Sequence, residues 1–564
     1  MRKSLIRAVA IAPLTLLLAA GCKKEVLAVL NTNSPDVVRV YSNPASVEGV
    51  VLGLGSQFWS GFQGSSEGMN VQSKNISLET YGSVANFGMN TRNAIPRSAI
   101  NNDRGNSVQT GNIRDFSTFS KVSRNATTAI QAIDRLIATA KAQGSTNAFG
   151  SPAQDARDRA FAFFINGASL GYLAMAYDSA AIVTPSVPSD VVPVLSFYPD
   201  VAVAGLALMD SAIAIATSAN ATVGTNGFPL PSTWFNGLAL TQAQFVQFIK
   251  AHQARIRAGV ARTPAERAAV SWTQVISDAT AAAAYGDFVV TIGTGWPCTY
   301  DCSQMEVSAG WGEISPMYSF MADTSGAYKT WLSTAIMSRN SAILVVTPDT
   351  RWPAGATRLA QQTASTLPST TRFLTNRAAG GDVSGDVWGT SFYDHTRWYA
   401  LAKIAPIGQG PYTYIDAQEM TMLAAEGYIR TGNLASATTL INASRATAGL
   451  PAITTPASAT ATITGSFSAT GCVPQVPNAA GTTAACGNIL EAMKYEKRME
   501  TQHTGYMQWF VDSRGWGDLV ENSPLQWPVP NGEMDARVHP FYNSDKSKVV
   551  GGGFAIATKG TYGF

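Results

Sequence analysis

Apolar residues recur at spacings of three and four over long stretches of this chain, the period of a helix with one buried face. From Phe119 onward, Val122, Ala126, Ile130, Ile133, Ile137 and Ala140 form one stripe. Ala160, Phe163, Phe164, Gly167, Leu170, Ala174 and Tyr177 form the next, and Gly167, Ala168 and Gly171 are small enough to let a neighbouring helix approach closely. Further helices are predicted over residues 43–62, 199–219 and 241–258, the last opened by Thr241 and Gln244 as a capping box. Thr263-Pro264-Ala265-Glu266 reads as another start, with a capping threonine, a proline at the first helical position and a glutamate reaching back to the cap amide. Asp416 and Glu419 can cap a helix ending near Arg430, where Gly432 permits a left-handed exit. Leu434, Ala437, Leu440, Ile441 and Ser444 then form a second stripe ending at Gly449.

The last two helices, joined by a Gly-Asn turn, resemble a tetratricopeptide hairpin, and about four such hairpins are expected over residues 119–285 and 414–450. The fold class predicted is therefore mainly α, a helical scaffold carrying a long, irregular, loop-rich face. Residues 63–115 are polar and rich in Gly, Asn and Ser, and they predict ordered loop with short elements at most. Residues 286–413 lose the helical period and gain aromatics. Seven of the twelve tryptophans lie between Trp272 and Trp398, which marks this insert as the expected ligand surface. A low-complexity stretch, 454–487, reads as a stapled surface loop, and residues 488–564 close the chain.

The first residues set the expected compartment. Arg2, Lys3 and Arg7 precede an apolar run from Ala8 to Ala20, shorter than the roughly 20 residues a permanent span needs. Leu17-Leu18-Ala19-Ala20-Gly21-Cys22 resembles a bacterial lipobox, so 1–21 is read as a lipoprotein signal peptide and Cys22 as the acylated first residue of the mature chain. Removing 1–21 takes three positive charges from the formal +3, leaving a neutral chain without the basic footprint of a nucleic-acid partner. No later stretch is expected to cross a membrane. Cys298 with Cys302, and Cys472 with Cys486, are two local pairs that suggest disulfides in an exported protein. A metal site is the competing reading of those pairs, and no histidine lies near either.

The C-terminal third carries the recognisable motifs. Glu419-Met420 through Ala425-Glu426, Arg430-Thr431-Gly432-Asn433, Ile441-Asn442 with Arg445, and Gly449-Leu450-Pro451 look like the last repeat hairpin of the SusD/RagB family of outer-membrane nutrient-binding lipoproteins. Tyr495-Glu496-Lys497-Arg498-Met499-Glu500 resembles that family's E-R-R-x-E helix. Arg514-Gly515-Trp516-Gly517-Asp518-Leu519 resembles its R-W-x-D-L segment, and Trp527-Pro528-Val529-Pro530 with Glu533 its P-I-P-x-x-E closure. Thr504-Gly505 stands where the family has E-G, and extra residues precede Trp516, as in a divergent branch. The resemblance implies a surface lipoprotein that binds an oligosaccharide or other oligomer and passes it to a SusC-like TonB-dependent outer-membrane transporter. It also implies no cofactor. Glu496, Arg498 and Glu500 are read as structural, placed too close together to share a helix face and pairing instead with segments such as Arg514 or Asp518.

No enzymatic constellation stands out: His252, His395, His503 and His539 are scattered, without metal spacing, and no nucleophile elbow or Walker loop occurs. A surface glycoside hydrolase needs only two carboxylates brought together by folding, so it stays as an alternative, as does a peptide-binding lipoprotein on the same scaffold. A pyranose lays its C–H face on an aromatic ring and needs amides, carboxylates or guanidinium groups at its edges. Trp296, Tyr300, Trp311 and Trp352, with Asp301, Glu306 and Arg351, offer that chemistry, and the Cys298–Cys302 loop between Trp296 and Trp311 is the favoured position. Trp388, Tyr393, Asp394 and Trp398 form a second group. By resemblance, the loop after the first helix adds Tyr81, Asn86, Phe87 and Asn90. The competing reading is that these aromatics pack loops onto the scaffold.

Overall fold

The computed structural model describes residues 37–63, 67–223, 227–304, 311–339, 342–369, 373–378, 391–463, 472–546 and 556–563. Cys22 with the signal segment, Glu306 and Trp388 lie outside the described residues. The chain is mainly α-helical. Its principal helices are α1 (Pro44–Gln63), α2 (Met69–Ile76), α3 (Gln109–Ala142), α4 (Pro152–Ala176), α5 (Tyr198–Ala216), α6 (Gln242–Gly259), α7 (Trp272–Ala283), α8 (Ala417–Arg430), α9 (Leu434–Thr447), α10 (Ile489–Thr501) and α11 (Gln508–Trp516). Neighbours in sequence pack on one another from α3 through α9, α1 lies on α3, and α10 lies on α8. This is the expected run of helical hairpins.

Glycines set how closely the helices cross. A Cβ on Gly167 would sit 2.5 Å from the Gly205 carbonyl oxygen, and one on Gly205 would sit 2.7 Å from that of Gly167, so α4 and α5 meet backbone to backbone. Gly171 makes room for Ile256 of α6 in the same way. Helix α5 corrects one expectation, because it is long and apolar enough by composition to cross a membrane. It is packed on α4 and α6 through Val201, Gly205, Leu208, Met209 and Ala212, with its other face exposed.

Helix starts follow the sequence signals. Thr241 and Gln244 form both arms of the capping box on α6. Thr263 accepts from the Glu266 amide, but the Glu266 carboxylate receives the Arg262 amide instead of the cap's own, and the helix lasts only from Pro264 to Ala268. Asp416 caps α8, and Gly432 leaves it at φ 83°. Glu419 does not cap; its carboxylate pairs with Arg255 of α6 at 2.6 Å.

Strands are few and short. β1 (Ser179–Ala181) pairs with β2 (Leu195–Phe197), β3 (Phe288–Ile292) with β6 (Gly410–Ile415), β4 (Leu374–Asn376) with β5 (Tyr393–His395), and β7 (Gln475–Pro477) with β8 (Ala484–Cys486), all antiparallel. The β3–β6 ladder means that the aromatic-rich insert leaves and rejoins the helical stack at one place. Both cysteine pairs are disulfides, with Cα–Cα distances of 5.4 Å for Cys298–Cys302 and 5.6 Å for Cys472–Cys486.

The C-terminal motifs form a buried ionic framework. Arg267 binds Glu426 at 2.6 Å and Asp512 at 3.0 Å, and Arg498 and Lys494 both bind Asp518. Arg351 bridges Asp349, Glu496 and Glu500. Glu496 and Glu500, four residues apart, therefore do share a face of α10, contrary to the expectation for that motif. Arg498 meets Asp518 as expected. Arg514 does not pair with these acids; it donates to the carbonyls of Met175, Gly259 and Leu525.

Candidate functional site

The loop after α2 is held rigidly from beneath. Asn75 accepts the Gly82 amide through its side chain and donates to the Val71 carbonyl, and Asn93 donates to the Gly82 carbonyl. Arg92 donates to Gln72. Across this loop, Tyr81 and Glu313 exchange backbone hydrogen bonds at 2.9 and 3.2 Å, docking the insert against the loop. Phe87 and Gly88 both adopt left-handed backbone, at φ 54° and 74°. That conformation is costly for a bulky side chain and persists only where the surroundings enforce it.

The result is an aromatic pair. The Phe87 and Trp311 rings lie 5.7 Å apart, nearly edge to face at 75°, over a buried base of Val71, Met89 and Tyr300. Both rings are partly exposed, and the flanking amides of Asn86 and Asn90 are exposed. A cleft of about 60 Å³ lined by Glu67, Ser107, Val108 and Thr110 opens beside Phe87. The pair thus offers ring surface with polar groups at its edge, the pattern a sugar ring or a peptide side chain can use.

The other predicted aromatics are placed differently. Trp296, which precedes the favoured Cys298–Cys302 loop, is 7% exposed and packs against Trp59 and Phe235 at 5.7 and 5.3 Å. Trp352 is wedged between Phe320 and Tyr393 in a second core beneath the insert. Trp398 lies on Tyr412 at 4.5 Å and donates its indole N–H to the His503 carbonyl. Tyr300 and Tyr81 are buried, and burial pushes the Tyr300 hydroxyl up out of its usual range. These five do not present a free ring face, whereas Phe87, Trp311, Asn86 and Asn90, also named from the sequence, lie at least partly exposed. The packing reading of the insert's aromatics holds for the others.

The polar candidates are also engaged internally. Asp301, inside the disulfide loop, receives Gln63 at 2.7 Å, Asn70 at 3.1 Å and Tyr412 at 3.2 Å, with Lys74 at 3.4 Å. It ties α1, α2 and β6 together beneath the aromatic pair. Burial works against the charge on Lys74, but Asp301 and Glu79 outweigh it and raise its pKa. Arg351 is spent on its three carboxylates, and Asp394 on Arg377 at 2.5 Å. His395 and His503 lie 4.2 Å apart beside this cluster, their rings tilted by 56°, and burial holds both well below the usual imidazole value. Among the described residues no group of three or more His, Cys, Asp or Glu side chains could hold a metal ion.

Two larger cavities lie elsewhere. One of about 470 Å³ is bounded by Asp134, Asp155, Arg159 and Ile215, the other, of about 420 Å³, by Arg262, Pro264, Arg514 and Leu525. Neither includes an aromatic residue singled out in the sequence. Cavity size alone would have passed over the Phe87–Trp311 pair, whose signal in the sequence is a Phe-Gly step inside an Asn-rich loop.

No family model matches the sequence, and no curated protein matches it. Comparison of structures finds a SusD superfamily protein of Bacteroides vulgatus, at 14% identity and a TM-score of 0.49, covering 88% of this chain and 97% of that one. A SusD superfamily protein of Bacteroides thetaiotaomicron covers the same shares at 11% identity and a TM-score of 0.49. A SusD-like carbohydrate-binding protein of Bacteroides vulgatus has 12% identity and a TM-score of 0.45, covering 85% of each chain. Each of these likenesses extends over most of this chain.

Proposed function

We propose that this protein is a cell-surface lipoprotein of the SusD/RagB type that captures an oligosaccharide and passes it to a SusC-like TonB-dependent outer-membrane transporter. Acylation at Cys22 anchors it to the outer membrane, facing the exterior. The observation that carries the binding reading is the Phe87–Trp311 pair, partly exposed on a rigid loop with Asn86 and Asn90 at its edge. Glycan binding is favoured over peptide binding because Arg351, Asp301 and Asp394, the charges a peptide would use, are committed to internal partners. Binding is favoured over hydrolysis because the carboxylates that folding gathers, Glu496 with Glu500 and Asp512 with Glu426, are each neutralised by arginine or lysine.

The test is a binding screen of the mature chain against oligosaccharides and peptides, reading affinity and product formation together. Saturable glycan binding without cleavage, weakened by Trp311→Ala, supports the reading. Turnover of any panel member, or binding untouched by Trp311→Ala and Phe87→Ala, overturns it. Co-isolation with a large outer-membrane barrel tests the transporter partnership separately.

A further inference from the structure

The cavity of about 420 Å³ has no part in the glycan reading, and two buried arginines stand in its wall. Arg262 is 2% exposed and Arg514 1%. Their Nη groups bind main-chain carbonyls. Arg262 donates to those of Ala174, Met175, Tyr177 and Leu525, and Arg514 to those of Met175, Gly259 and Leu525. Because the Met175 and Leu525 carbonyls serve both, the two guanidiniums lie side by side. Ala174, Met175 and Gly259 end α4 and α6, where the helix dipole leaves partial negative charge. Fastening two helix ends accounts for the Nη groups alone. Among the described residues nothing accepts from either Nε, and a buried donor left without an acceptor is costly.

Negative charge is short as well. Among the described residues no carboxylate pairs with either guanidinium, and no Asp or Glu lines the cavity. The Glu266 carboxylate instead receives the Tyr198 hydroxyl and the Arg262 backbone amide. Burial works against both cations, joined at Arg514 by the like charge of Arg262; it lowers the pKa of Arg262 to about 10 and holds that of Arg514 well below its usual value. The Tyr198 ring lies 4.0 Å from the Arg262 guanidinium and the Phe510 ring 5.1 Å from that of Arg514, which with the carbonyl bonds holds each in place.

Most of the remaining wall is aliphatic, formed by Pro264, Leu519, Leu525 and Ile556, the last 40% exposed at the rim. The rim is fixed by backbone bonds of 2.8 Å from Asn522 to Ala557 and 2.9 Å from Ala557 to Ser523. The lining offers no aromatic face on which a pyranose could lie. A volume of this size falls in the range of small-molecule sites, about 300–1,000 Å³. We propose that the cavity is a second ligand site, separate from the aromatic pair, that takes a small aliphatic carboxylate. The carboxylate accepts from the Nε groups of Arg262 and Arg514, and the carbon chain lies against Leu519, Leu525 and Ile556. Water could satisfy the two donors but would bring no charge, and a bare oxyanion would leave the aliphatic wall unused.

Calorimetric titration of the mature chain with hexanoate, hexanamide and inorganic phosphate tests this. Saturable binding of hexanoate is expected, with the neutral amide at least about tenfold weaker. Ile556→Asp places a like charge at the exposed rim and should weaken hexanoate about tenfold, with glycan affinity unchanged. No saturation by hexanoate, equal affinity for hexanamide, or hexanoate binding untouched by Ile556→Asp overturns the proposal. Phosphate bound more tightly than hexanoate overturns it too, in favour of a site for a bare oxyanion. The titration stands whether or not the protein binds a glycan, so failure here and failure of the glycan reading are told apart.

Discussion

At the scale of single residues, the aromatic side chains divide by whether a ring face is already covered. Trp296, packed on Trp59 and Phe235, behaves as core, and Trp296→Ala should cost about 3–5 kcal/mol of stability. Trp311→Ala, at a partly exposed ring, should cost no more than about 1.5 kcal/mol of stability and yet weaken glycan binding about tenfold or more. Urea titration and calorimetric binding on the two variants give the contrast; a reversed pattern would mean that the disulfide loop, and not the Phe87–Trp311 pair, meets ligand. His252 offers a second check. Burial, then the positive charge of Arg255, holds its pKa well below the usual value. The folded state stays neutral there, while the unfolded chain takes up a proton as pH falls below about 6.5. Stability from this residue is thus present at high pH and lost on acidification. Relative to His252→Phe, the wild type should lose about 1.4 kcal/mol per pH unit between pH 6 and 5, and parallel curves for the two proteins would refute the assignment. Sequence alone placed Trp296 and Trp311 in one group, because residue type and spacing do not say which ring face another ring will cover.

At the scale of elements, the helices with apolar stripes were legible almost to the residue, as α1 and α6 show. The first turns of α3 were not. The apolar stripe begins at Phe119, whereas the helix begins at Gln109, because its early buried positions are polar. Asn112 donates to the Asn101 carbonyl, and Asp115 accepts from the Met69 amide and the Tyr506 hydroxyl. Helix α2 was hidden for the same reason, since it buries Asn70, Gln72, Ser73, Lys74 and Asn75. A hydrophobic period cannot register a helix whose inward face is hydrogen-bonded. Glycine positions test the packing directly. Gly49 is exposed on α1, and a Cβ there would meet nothing within 4 Å, so Gly49→Ala should gain about 0.5–1 kcal/mol from helix propensity. Gly167→Ala meets the backbone of α5 and should instead lose about 1–3 kcal/mol from overpacking. Thermal melts of both variants decide it, and a stabilised Gly167→Ala would mean that α4 and α5 separate more easily than their geometry indicates.

At the scale of the whole molecule, two lengths of chain far apart in sequence must be held together: the aromatic-rich insert and the C-terminal segment. The motifs that resemble the SusD/RagB family do this work through charge, which explains why they read as structural and why one partner, Asp518 of Arg498, lay within the motifs while Arg351 lay outside them. Arg351 comes from the insert, while Glu496 and Glu500 come from α10, about 150 residues later in the chain. Asp349 holds the same guanidinium from the other side and accepts the Tyr495 hydroxyl at 2.6 Å. Glu496 keeps only the Ser444 hydroxyl at 2.8 Å and Arg445 at 3.6 Å if Arg351 is removed. An ion pair buried this deeply gains little over an apolar pair, but taking out one partner strands the other charges, at a cost of about 3–5 kcal/mol. Arg351→Met should therefore destabilise the protein by that amount, and adding Glu496→Gln and Glu500→Gln should recover part of it, since amides tolerate burial better than unpaired carboxylates. If Arg351→Met alone leaves the urea midpoint unchanged, the insert is fastened by its apolar core around Trp352 and Tyr393, and the ionic framework is dispensable to the fold.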